Sequence, residues 1–76
     1  MYEAFYISLV RELHGYYVKV IASNEDVVRE HCMEYYGKLW CSVYNEANFL
    51  DVKEKYEVII VNESNPVYLG GCPQYE

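Results

Sequence analysis

The chain opens on an alternating stretch, "YEAFYISLVREL", in which Phe5, Ile7 and Leu9 interleave with Tyr2, Ala4, Tyr6 and Ser8. A period of two among β-forming residues predicts a first strand over about residues 2 to 11. "LHG" then supplies a turn at Gly15. "YYVKVIA" predicts a second strand, with Val18, Val20 and Ala22 on one face and Tyr17, Lys19 and Ile21 on the other. Two strands this close in sequence form an antiparallel hairpin.

The pattern changes at "SNED". Ser23 can cap a helix start, and Asp26 three residues later completes a capping box, while Glu25 and Asp26 suit the positive end of a helix dipole. A helix is expected from about Asn24 to Tyr36, with Val28, Cys32 and Tyr35 on its apolar stripe and Gly37 placed to end it. Glu30, Glu34 and Lys38 lie outward on this reading.

Alternation resumes in "YGKLWCSVYN", which predicts a third strand over Leu39 to Tyr44. Leu39, Cys41 and Val43 then face one way and Trp40, Ser42 and Tyr44 the other. "NEANFLDVKEK" is polar enough for a loop, with Phe49, Leu50 and Val52 tucked toward the core. "YEVIIVN", residues 56 to 62, predicts the fourth strand. Residues 63 to 76 hold two prolines and a Gly-Gly pair and read as an irregular tail, with "PVYL" able to add a short edge strand.

The expected fold is therefore α+β, a single compact domain spanning residues 1 to 76. Four strands form one mainly antiparallel sheet, in the order strand-strand-helix-strand-strand, and the helix packs on one face. Phe5, Ile7, Leu9, Val18, Val20, Leu39, Cys41 and Val43 should meet the helix. The opposite face, left open, should carry Tyr2, Tyr6, Tyr17, Ile21, Trp40 and Tyr44.

Composition sharpens that picture, because ten of the 76 residues are tyrosine. Tyr and Trp concentrate at binding hot spots, where a large rigid ring brings contact area and a polar tip brings a hydrogen bond. Tyr6, Tyr17, Trp40 and Tyr44 are the candidate contact residues for a protein partner or a second copy of the chain. Aromatic cross-strand pairs could equally serve the sheet itself, or lie beneath the long loop and the tail. A chain this short has a small core, which makes a homodimer or a tight complex plausible.

Charge narrows the partner. Twelve acidic against six basic residues give a formal net charge of −6. The six basic residues never form a run, which disfavours direct binding to phosphate backbones and favours partners with basic surfaces. Asp26, Glu30 and Glu34 form a secondary candidate: a ladder along one side of the helix, with steps of about 6 Å, near the spacing of phosphates on a strand. An RNA-binding module that stacks bases on its sheet face would need a Gly-rich aromatic signature and a basic rim, and neither is present.

No chemistry is spelled out. Cys32, Cys41 and Cys72 are odd in number and lack paired spacing, which fits a reducing compartment, and with His14 and His31 they offer no metal-ligand spacing. Cys32 and His31 are helix neighbours that point about 100° apart, so they do not form a nucleophile and base. No cofactor, no metal, no membrane span and no enzymatic activity are expected, and the protein should be cytoplasmic.

In size, charge and sheet-plus-helix layout the chain resembles the small acidic proteins of phages and mobile elements, among them the anti-CRISPR proteins. The resemblance covers the whole chain without a residue-level match, so it assigns no site residues. It implies a non-catalytic inhibitor that binds and blocks a host protein complex, such as a CRISPR-Cas complex, in the host cytoplasm. The alternatives are a self-associating structural protein and, further off, the RNA-stacking module.

Overall fold

The fold was taken from a computed structural model, which describes residues 2–69. Cys72 and the end of the expected tail, residues 70 to 76, lie outside the described residues. The fold class is the expected α+β. Seven elements follow in order: β1 (Glu3–Leu9), β2 (Tyr16–Ala22), α1 (Glu25–Tyr35), β3 (Trp40–Asn45), α2 (Glu46–Lys55), β4 (Ile59–Ile60) and β5 (Val67–Tyr68). A short 3-10 turn, Arg11–Leu13, and Gly15 at φ +92° join β1 to β2.

Four details differ from the sequence expectation. The segment "EANFLDVKEK" is a second helix rather than a loop. It is capped by Asn45, whose side chain accepts a hydrogen bond from the Asn48 N–H at 2.8 Å. The first helix is capped by Asn24 rather than Ser23, through a 3.1 Å bond from the Val27 N–H. The sheet has five strands rather than four. Finally, the fourth strand keeps only Ile59–Ile60 in the ladder and runs parallel to β2, as does β5. Gly37 does end α1: at φ +54° it and Tyr36 both donate to the Cys32 carbonyl.

The strand order β3-β1-β2-β4 explains why a second helix is needed. Both β2 and β3 are antiparallel to β1, so β2, β3 and β4 share one direction. Helix α1 thus carries the chain across β1 to β3, and α2 carries it back across β1 and β2 to β4. Crossovers between parallel strands are right-handed almost without exception. Two crossovers of the same hand that travel in opposite directions must lie on opposite faces of the sheet.

The buried clusters agree. Phe5, Ile7, Leu9, Val18, Val20 and Ala22 pack with Val28 and Cys32 of α1, while Tyr6 packs with Phe49 and Val52 of α2. As a result β1 is buried continuously from Phe5 to Leu9, where a strand with one open face would alternate.

The far edge of β2 is closed by one interrupted strand. Between β4 and β5 the chain bows outward, and the Asn62 carboxamide takes the place of a ladder residue. Its Oδ1 accepts from the Lys19 N–H at 2.8 Å and its Nδ2 donates to the Lys19 carbonyl at 3.2 Å.

Candidate functional site

The fold divides the four aromatic residues expected on one open face. Tyr6 is only 5% exposed, and its ring stacks on Phe49 at 3.9 Å between centroids with planes 6° apart. Tyr17 and Tyr44 are half-buried on the same side, Tyr17 lying 5.2 Å from Phe49 and 6.4 Å from Tyr44. Helix α2 therefore covers the aromatic face.

Trp40 is on the other side, packed against the α1 core with the Arg29 guanidinium 5.9 Å from its ring. A β-bulge is the cause. The pairing of β1 with β3 passes from Ser8↔Ser42 to Leu9↔Trp40, leaving Cys41 as the extra residue. Strict alternation put Cys41 in the helix-side core and Trp40 on the open face; the bulge reverses both, and Cys41 is exposed. The buried Ser8 hydroxyl fills the gap in the ladder, accepting from the Ser42 N–H at 3.1 Å and donating to its carbonyl at 3.4 Å.

The acidic candidates stay at the surface. Asp26, Glu30 and Glu34 are all exposed on α1, and Met33 between them is 64% exposed. Arg29 is drawn off this ladder by Glu25, with nitrogen and oxygen 2.7 Å apart. Lys38 falls beyond the end of α1, so its four-residue spacing from Glu34 is no longer helical. On the adjoining side His31 stacks on Tyr35 at 4.4 Å and meets Tyr36 edge-on at 5.7 Å. Burial pushes the His31 pKa below its ordinary value, with Glu34 acting in the opposite direction.

A cavity of about 270 Å³ opens on the α2 side of the sheet, lined by Leu9, Tyr17, Cys41, Tyr44, Tyr56 and Glu57. His14 and Gly15 of the β1–β2 connection complete one wall. Burial raises the Tyr17 pKa, and the neighbouring Tyr44, Tyr56 and Cys41 raise it further because their ionised forms would repel its phenolate. The sequence reading missed Tyr56 and Glu57. Both directly follow α2, and only the length and direction of that helix bring them to the end of β1.

Cys32 is fully buried and its thiol is pushed up to about 11 by burial, which leaves it a packing residue rather than a nucleophile. Among the described residues no three His, Cys, Asp or Glu side chains gather to hold a metal ion, and no helix is long and apolar enough to cross a membrane. Comparison with family models, with curated proteins and with solved structures finds no significant match.

Proposed function

We propose that this is a non-catalytic binding protein that docks onto a basic surface of another protein through the outer side of α1. One observation carries the reading: the helix displays Asp26, Glu30 and Glu34 to solvent while its one basic residue, Arg29, is paired with Glu25. Uncompensated carboxylates one helical turn apart are complementary to the lysines and arginines with which proteins hold nucleic acid, and Met33 adds an apolar contact among them. By occupying such a surface the protein would act as an inhibitor without chemistry of its own, as the likeness to small phage inhibitors of the anti-CRISPR type implies. With Tyr6, Tyr17 and Tyr44 packed on the α2 side and Trp40 packed against the α1 core, the acidic helix takes precedence over these four residues as the contact surface.

The test compares two variants of equal charge, Asp26→Asn/Glu30→Gln/Glu34→Gln on α1 and Glu46→Gln/Asp51→Asn/Glu54→Gln on α2. Each is titrated with an arginine-rich peptide at low and high salt. At about 0.5 kcal/mol per exposed pair, the α1 variant should bind about tenfold more weakly at low salt, and the α2 variant should lose much less. Equal losses would mean that the peptide senses only net charge.

A specific observation also favours self-association. Among the described residues strand β3 pairs with β1 alone, which leaves its outer edge without a partner strand there, and its sequence "WCSVYN" contains neither Lys nor Pro to discourage strand addition. Light scattering over a range of concentrations distinguishes this reading, which requires a dimer.

A further inference from the structure

We propose that the tyrosine-lined cavity on the α2 side is a second binding site, one that takes an organic cation: a guanidinium or alkylammonium group. Three tyrosines, Tyr17, Tyr44 and Tyr56, line it together with Glu57. Aromatic faces attract cations electrostatically, and the attraction grows when water is partly excluded. A carboxylate at the wall adds a full negative charge in the same place. Tyr56 is also the C-cap of α2, so the cavity adjoins the negative end of a helix dipole.

The lining has the electron-rich half of a cation–π site and no side chain of fixed positive charge. Elsewhere the chain supplies its own: Lys19 lies 5.8 Å from the Tyr6 ring, Arg29 5.9 Å from Trp40 and Lys53 5.8 Å from Phe49. No Lys or Arg is among the residues that line the cavity. Glu57 forms no ion pair among the described residues. A volume of about 270 Å³ accommodates the head and part of the stem of an arginine or lysine side chain, and equally a small quaternary amine. The site is independent of α1, because Tyr17 and Tyr44 belong to the opposite side of the sheet.

Nuclear magnetic resonance titration of the full chain tests the assignment. The probes are N-acetyl-arginine amide, its neutral isostere N-acetyl-citrulline amide, and tetramethylammonium. The arginine probe should perturb Tyr17, Tyr44, Tyr56 and Glu57, and ring currents should move its own δ-methylene protons upfield, while citrulline amide binds at least threefold more weakly. Tyr56→Ala and Glu57→Gln, both at exposed positions, should each weaken arginine binding about three- to tenfold without unfolding the protein. Tighter binding of arginine amide than of tetramethylammonium identifies a protein side chain as the source, and the reverse order identifies a free quaternary amine. Equal binding of citrulline amide overturns the assignment, since the slot would then be merely apolar. So do perturbations confined to Asp26, Glu30 and Glu34, which would leave the α1 surface intact as the only cation-binding one.

Discussion

Replacing Phe49 by Ala removes the residue that fastens α2 to the sheet. Phe49 is 2% exposed, its ring lies 3.9 Å from Tyr6 and 5.2 Å from Tyr17, and among the described residues it shares this cluster's buried positions only with Tyr6 and Val52. A buried Phe→Ala change costs about 3–5 kcal/mol, and a stacked aromatic pair supplies about 0.5–1.5 kcal/mol of that. Because the cluster is small and near the surface, it can partly collapse, so a loss of about 3 kcal/mol is expected. Against a total of roughly 4–11 kcal/mol for a chain of this length, that is a large fraction. It should lower the melting temperature by roughly 12–24 °C. Urea unfolding provides the assay, followed by circular dichroism and by the fluorescence of Trp40, which reports from the opposite face. Leu50→Ala is the internal control, since Leu50 is the next residue on the same helix but is 56% exposed; it should cost less than about 0.5 kcal/mol. If Phe49→Ala and Leu50→Ala cost the same small amount, α2 is not a packed cover and residues 46 to 55 behave as the loop their polarity suggests.

Two further outcomes follow from single contacts. Asn62→Ala leaves both the Lys19 N–H and its carbonyl without their partner, so amide exchange at Lys19 should accelerate and stability should fall by about 1–3 kcal/mol; Asn62→Asp keeps the acceptor and should restore part of the loss. Burial lowers the His31 pKa in the folded protein, so the unfolded chain binds the proton more readily. Stability is therefore full above the ordinary value of 6.5 and declines as pH falls from there through the lowered folded value, a decline that His31→Gln should flatten in acid-unfolding curves.

The parts of this fold that were legible in the sequence are those in which a local period repeats often enough to be read. β1, β2 and their antiparallel pairing follow from alternation, and α1 from its acidic first turn, its Val28–Cys32 stripe and Gly37. The acidic outer ladder follows with it, because residues four apart stay on one side of any helix. Helix α2 carried its own signals, with Asn45 before the first turn, Glu46 inside it, and Lys53 and Lys55 in the last. Only Phe49 and Val52 are buried in its ten residues, too few to fix a period against the polarity around them. What remained was decided by partners distant in sequence. One extra residue opposite β1 turned Trp40 toward α1, and alternation cannot reveal such an insertion because it is defined by the register of two strands. A carboxamide from residue 62 completed the edge of β2, where the chain itself bows away. Tyr17, Tyr44, Tyr56 and Glu57 are spread over forty-odd residues, and they share a cavity only because the second crossover returns to the far edge over the face that α1 leaves free.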